Sequence, residues 1–180
     1  MTEGPASGLP AGVDDFLEQA GWGGAVVEPL PGDASFRRYF RVRKGDANAM
    51  LMDAPPPHED PRPFLHVGKW LCAHGLRAPA IYAERPEQGL VLIEDFGSDR
   101  MRDWLDDNAQ AEEAVYAGAI DALVALHGRP PGPFEPYDAA VYQREAGLFV
   151  EWYCPAMRLE VDAPGWRTAW EAVLQPMLLN

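Results

Sequence analysis

Basic residues are scarce in this chain. Fifteen Lys and Arg stand against 28 Asp and Glu, giving a formal charge of −13 and a pI near 4.6. A surface that acidic argues against nucleic acid or an anionic membrane as the main partner, because both demand a basic footprint. No apolar run approaches the ~20 residues of a membrane-spanning helix. The opening residues, Met1-Thr-Glu-Gly-Pro-Ala-Ser, lack the basic start and apolar core of an export signal, so the expected compartment is the cytoplasm. Cys72 and Cys154 fit neither a disulfide framework nor a zinc spacing, and are expected to be reduced, half-buried thiols. His58, His66, His74 and His127 show no Asp, Glu or Cys partner at metal-ligand spacing. The absence of GxGxxG and Walker A runs removes the standard dinucleotide and P-loop signatures, and the absence of GxSxG and HExxH removes the common hydrolase ones.

What is present is 180 residues, 47% of them hydrophobic. A chain of that size buries roughly two-thirds of its unfolded surface, enough for one domain or two small lobes. After a small, Pro/Gly-rich start, Val13 to Ala20 reads as a short helix stopped by Gly21. Ala25 to Leu30 reads as a first strand. Beyond the Pro31-Gly32 turn, Phe36, Arg38, Phe40 and Val42 alternate with Arg37, Tyr39, Arg41 and Arg43, the period of a strand with a polar face. Gly45-Asp46 then turns the chain into a third strand, Ala49 to Asp53.

The connector Ala54-Pro-Pro-Pro-His-Glu-Asp60 cannot be helical, but Asp60-Pro61 is a matched N-cap and first helical residue. Phe64, Val67, Gly68 and Leu71 follow at helical spacing, and Gly75 stops that helix. Ala80 to Glu84 and Gly89 to Asp95 read as two more strands joined by a turn at Pro86–Gly89. After Phe96-Gly97 the texture becomes helical. Met101 to Leu105 is a short turn, Glu112 to His127 an amphipathic helix with Val115, Ala119, Ala122, Leu123 and Leu126 on one face. Tyr142 to Leu159 is a helix kinked or split at Pro155, and Trp166 to Leu179 a last one. The expected boundary lies at residues 95–99, with domains of 1–96 and 97–180.

Arg37, Arg38, Arg41, Arg43 and Lys44 place five of the 15 basic residues within eight positions. Exposed charges more than about 8 Å apart are largely screened, so this local cluster can serve an anionic ligand despite the net charge. Just before it, Gly32, Asp33, Ala34 and Ser35 let backbone N–H groups approach an anion closely, with Arg37 or Arg38 supplying charge. The same residues equally describe an ordinary hairpin. Glu59 can orient a basic residue at the start of the following helix, or lie in a solvated acidic patch favoured by the helix dipole. Glu94, Asp95 and Phe96, where sheet gives way to helix, can present backbone groups to a heterocycle or be a plain linker.

The order of these pieces is more specific than any one of them. Gly32-Asp-Ala-Ser-Phe-Arg-Arg-Tyr-Phe-Arg41, Met52-Asp-Ala-Pro-Pro-Pro57, Glu59-Asp-Pro-Arg-Pro-Phe64, Leu92-Ile-Glu-Asp-Phe-Gly97 and Ala119-Ile-Asp-Ala-Leu-Val-Ala-Leu126 resemble the aminoglycoside-phosphotransferase and choline-kinase superfamily. Pro136 to Ala140 and Glu151-Trp-Tyr153 extend the likeness, which runs over about residues 12–176. Within the superfamily the chain is most similar to bacterial cell-wall kinases that phosphorylate N-acetylmuramate and N-acetylglucosamine at the anomeric position.

The resemblance implies an α+β fold: a protein-kinase-like small lobe of five antiparallel strands and one inserted helix, then the first helices of a large lobe. It implies ATP and Mg2+ as cofactors and a sugar as substrate, with Gly32, Asp33, Ala34 and Ser35 over the phosphates. Glu94, Asp95 and Phe96 would form the hinge beside the adenine. The third strand has no lysine where many kinases grip phosphate, so Arg38, Arg41 or Lys44 is expected to substitute, or else the loop and metal hold the nucleotide. No H-x-D-x-x-x-x-N run occurs among the residues, so the base and metal ligands are expected beyond Asn180, and residues 1–180 alone are expected not to turn over. A non-catalytic kinase-like interaction module and an aminoglycoside-modifying phosphotransferase are the alternatives.

Overall fold

The computed structural model describes residues 8–32 and 35–178. The elements run α1 (Val13–Gln19), β1 (Val26–Pro29), β2 (Arg38–Lys44), β3 (Ala47–Asp53), α2 (Arg62–Ala73), β4 (Ile81–Arg85), β5 (Leu90–Glu94), α3 (Met101–Asp107), α4 (Glu112–His127), α5 (Ala139–Leu148), α6 (Cys154–Ala156) and α7 (Ala163–Leu178). The five strands form one antiparallel sheet in the order β1-β2-β3-β5-β4. This is the expected kinase-like sheet with one helix inserted after the third strand. The residues cluster into two compact units, Met1–Pro130 and Pro131–Asn180. That division falls later than the strand-to-helix change near residue 96 at which the sequence places its boundary.

Strand alternation divides the side chains between two cores. On one face Phe40 and Val42 of β2, Ala49 and Leu51 of β3, and Leu90 and Leu92 of β5 pack against Val13, Phe16 and Leu17 of α1. On the other, Met52, Val91 and Ile93 pack with Leu65 of α2, joined by Tyr39, Met50, Phe64 and Ile81. β5 is buried on both sides from Leu90 to Ile93, which is why it reads as a continuous apolar run rather than an alternation. Each of these buried aliphatic side chains contributes about 1.5–3 kcal/mol of transfer free energy.

Turn chemistry fixes the connections. Lys44 pairs with Ala47 across a two-residue loop in which Gly45 has φ +57°. α2 begins one residue later than the sequence suggests, at Arg62, and the Asp60 carboxylate still accepts from the Arg62 N–H at 3.0 Å. Gly75, at φ +71°, ends it. Gly89 follows a 3-10 turn at Pro86–Gln88 with φ +77°, and a Cβ there would collide with the carbonyl of Ala54. The close approach is needed because the Ala54 N–H donates to the Gly89 carbonyl at 2.8 Å, tying the connector to the β4–β5 turn.

Two helical expectations are corrected. α4 has the expected limits but no buried residue: Tyr116, Ile120, Leu123 and Val124 are exposed, and Val115 is only half-buried. Its apolar residues surround the axis instead of forming one face, the pattern of a helix suited to burial within a larger core. The helix expected over 142–159, kinked or split at Pro155, is divided a few residues earlier than that proline. It leaves α geometry at Leu148, passes through a wider π turn at Phe149–Tyr153 and resumes for one turn at α6. In this second unit Asp138 caps α5 through the N–H groups of Ala140 and Val141. Gln143 of α5 donates to Glu171 of α7 at 3.0 Å. Of the two free thiols, Cys72 is exposed and Cys154 buried.

Gly89→Ala should lower stability by at least ~2 kcal/mol, because it adds a backbone clash to the roughly 1–2 kcal/mol cost of a left-handed non-glycine residue. Gly24, at φ +73° with nothing within 4 Å of where a Cβ would stand, is the control: Gly24→Ala should lose only the conformational part. Urea unfolding of the two variants, read by circular dichroism, compares them directly.

Candidate functional site

The arginine-rich strand is shared between the two faces by its parity. Arg38 stands on the α1 face with Phe40 and Val42, opposite Asp53 in the β2–β3 register. Its guanidinium donates Nε at 2.9 Å and Nη2 at 2.6 Å to one oxygen of Asp53, a carboxylate only 2% exposed, while Nη1 donates to the carbonyl of Gly8. A buried carboxylate is costly without a partner, and Arg38 supplies it. The expected role of Arg38 toward a ligand therefore competes with a structural one, on the side of the sheet away from α2. The alternation in the sequence already places Arg38 with Phe40 and Val42.

Arg37, Tyr39 and Arg41 lie on the α2 face. The Arg37 Nη2 donates to Glu59 Oε2 at 3.0 Å, so the carboxylate just before α2 orients a basic residue, and that residue is Arg37. Burial works against the Arg37 charge, but hydrogen bonds to Glu59 and Tyr39 outweigh it and raise its pKa. Its Nε is buried and without a hydrogen bond among the described residues. Arg41 grips Asp95 with Nε at 2.7 Å and Nη2 at 3.3 Å, both side chains being largely buried. Lys44 donates to the Gly21 carbonyl at 2.9 Å. The three cations expected to replace a third-strand lysine are thus Arg38 on Asp53, Arg41 on Asp95 and Lys44 on Gly21. The β3 side chain facing α2 opposite Tyr39 is the buried Met52.

Asp33 and Ala34 lie outside the described residues. The flanks of their loop are defined. Gly32 is exposed, and a Cβ on it would meet nothing within 4 Å. Ser35 Oγ accepts from the Arg37 N–H at 2.9 Å, closing the turn into β2. Phe36 stacks on His58 with ring centroids 4.6 Å apart, joining the loop to the 54–60 connector.

At the far end of β5, Glu94, Asp95 and Phe96 are each held. Glu94 receives both terminal nitrogens of Arg77, at 2.6 and 2.8 Å, and the Ala80 N–H at 3.1 Å. Arg77, then Ala80, hold the Glu94 carboxyl down to about 2 from its ordinary 4.5. The Arg77 guanidinium lies 4.4 Å from the Phe96 ring centre. Asp95 accepts from the Gly97 N–H at 2.8 Å and so shapes the turn that leaves the sheet. Among the described residues no main-chain hydrogen bond reaches Phe96, leaving its N–H and C=O for another partner. Sequence reasoning does not single out Arg77; its separation from Glu94 on different elements leaves no local signal.

A family model described as phosphotransferase enzyme family matches residues 26–179. An N-acetylmuramate/N-acetylglucosamine kinase of Pseudomonas aeruginosa is 40% identical over 161 residues, covering 87% of this chain and 47% of the relative. One from Pseudomonas putida is 37% identical over 145 residues, with 78% and 42% covered. One from Caulobacter vibrioides is 30% identical over 200 aligned positions, with 90% and 54% covered. The chain spans about half the length of the curated relatives it matches.

Removing Arg38 while leaving Asp53 buried should cost about 3–5 kcal/mol, so Arg38→Met should melt far earlier than wild type in thermal denaturation. The Glu94 pair makes a separate forecast. A carboxyl whose folded pKa is depressed stabilises the fold above its ordinary value of 4.5, and loses that contribution as pH falls toward about 2. Carboxyl-detected NMR should show Glu94 titrating near 2, and Arg77→Gln should return it toward 4.5.

Proposed function

Because the chain belongs to the phosphotransferase enzyme family, we propose that its sheet and hinge form the nucleotide-binding half of an ATP-dependent kinase acting on a sugar hydroxyl. The observation that carries this reading is the α2 face of the sheet. There a Glu59-held arginine lies at the foot of the β1–β2 loop, and beyond the end of β5 the Phe96 backbone has no main-chain hydrogen bond among the described residues. Those are the places where kinase-like sheets hold phosphate and base.

ATP fits these residues. The loop at Gly32 to Ser35 would cover the phosphates, Arg37 would offer charge, and the hinge backbone at Glu94 to Phe96 would take the adenine edge. Gly32 is compatible with the assignment: it is exposed, and a Cβ there would meet nothing within 4 Å, so the described fold leaves the space over it open. When bound, ATP supplies the phosphoryl group, and the described residues would position it. Magnesium is a different case. Among the described residues no cluster of three or more His, Cys, Asp or Glu could hold a metal, so no step is derived through one. Its ligands and the base that accepts the sugar proton belong, in this reading, to the part of the relatives that these residues do not cover.

The sugar assignment rests on the relatives, each named as an N-acetylmuramate/N-acetylglucosamine kinase. The apolar girth of α4 favours this partial-kinase reading over a self-sufficient interaction module. Ile120, Leu123 and Val124 are each more than half exposed, which suits a helix with a further layer of core around it.

The chain should bind ATP in calorimetry or by displacement of a fluorescent nucleotide, and should release no ADP with either amino sugar. Gly32→Val should weaken ATP binding by roughly tenfold while shifting stability by less than about 0.5 kcal/mol, as at other open surface sites. Failure of the wild type to bind any adenine nucleotide would overturn the reading. Joining residues 1–176 to the remaining half of the Pseudomonas aeruginosa relative should restore ADP release dependent on N-acetylmuramate or N-acetylglucosamine.

A further inference from the structure

We infer that Arg37, held by Glu59, is the residue that grips the nucleotide phosphates here, in place of a lysine on the third strand. The inference deepens the nucleotide-binding reading and rests on it. In kinases the phosphate-gripping lysine sits on β3 and is oriented by a glutamate from the inserted helix. In this chain β3 offers that face Asn48, Met50 and Met52, and the two methionines join the α2-side core. No cation on β3 can do the work.

A cation nevertheless stands on that face, one strand over. Arg37 sits at the entry to β2, two residues after Ser35, whose hydroxyl accepts the Arg37 N–H and fixes the chain as it leaves the loop. Glu59 comes from the connector immediately before α2 and takes one guanidinium nitrogen at 3.0 Å. The acidic half of the pair therefore comes from beside α2, and the basic half from the strand that carries the loop. Phe36 stacked on His58 makes a second tie between the same two segments, so loop and connector hold Arg37 from both sides.

The other arginines of the run do not meet these conditions. Arg38 faces α1 and neutralises the buried Asp53; Arg41 forks onto Asp95 near the hinge. Arg43 pairs with Glu28 in an exposed contact at 3.3 Å toward the opposite end of the strand. Arg37 keeps donors in hand. Glu59 takes only Nη2 and the side chain stays 30% exposed, while Nε itself is buried with no hydrogen bond among the described residues. A phosphate is the acceptor that the terminal nitrogens of a guanidinium fit best, since their two parallel N–H groups can meet two oxygens. Glu59 then acts as a positioning residue, aiming the fork without touching the nucleotide.

The test compares ATP, ADP, AMP and adenosine binding to the whole chain by calorimetry, for wild type, Arg37→Ala, Arg37→Lys and Glu59→Gln. Wild type should bind ATP more tightly than adenosine. Arg37→Ala should lose ~10- to 100-fold in ATP affinity, the range of one charge-assisted contact, while adenosine affinity stays within about twofold. Arg37→Lys should fall between, keeping the charge and losing the fork. Glu59→Gln should weaken ATP more than adenosine. If Arg37→Ala melts early, Arg37→Gln, which keeps the stem and can still bond Glu59, is read in the same way. An ATP-to-adenosine ratio unchanged in the Arg37 variants would overturn this inference and leave the nucleotide reading intact. If wild type binds neither ATP nor adenosine, the nucleotide reading fails first and takes the inference with it.

Discussion

Adjacent side chains on a strand leave on opposite faces, and β2 sets two arginines side by side at its entrance. Because of that geometry, Arg37 and Arg38 cannot share a task. One passes to the face closed by α1, where it answers a carboxylate buried on the neighbouring strand; the other passes to the face that carries α2. A slip of one residue in register would put Phe40 and Val42 on the wrong side and leave Asp53 without its cation. The division of the sheet into two cores, and with it the place available to a ligand, depends on that alternation.

The connector between β3 and α2 gives the sheet a second constraint. Its first residue bonds to the β4–β5 turn through Gly89, and near its other end Glu59 and His58 engage the residues at the entry to β2. A rigid, proline-rich segment thus spans the sheet and fixes the loop and the β4–β5 hairpin against the same piece of backbone. This arrangement explains why a stretch with no regular structure carries some of the most specific residues in the chain.

Much of this is legible in the order of residues alone. Hydrophobic period and glycine placement locate all five strands, α1, α2 and α4 to within a few residues, and the alternation in β2 correctly separates Arg37, Tyr39 and Arg41 from Arg38, Phe40 and Val42. The failures have physical causes. The structural task of Arg38 goes unread because its partner Asp53 lies fifteen residues away on another strand, and a sequence does not display a cross-strand ion pair. Arg77 escapes notice for the same reason. The one-sided reading of α4 fails because Tyr116, Ile120 and Val124, four residues apart, form a second apolar stripe beside the expected one. The division of the 142–159 helix falls at the widened turn Phe149–Tyr153, which contains Glu151, the residue whose carbonyl Pro155 cannot bond. The proline therefore signals the break but not that it begins at Leu148.

Every arginine from 37 to 43 is answered by a carboxylate: Glu59, Asp53, Asp95 and Glu28 in turn. The basic run is therefore locally close to neutral, and the charge of −13 is left to dominate at a distance. On the proposed reading, an anionic nucleotide approaching from bulk would meet net repulsion first and attraction only once it reached Arg37. Encounter and capture consequently respond to ions in opposite senses. Added salt screens the long-range repulsion and quickens arrival, while it weakens the short-range hold. On the proposed nucleotide reading, such a site would retain a phosphate rather than draw one in.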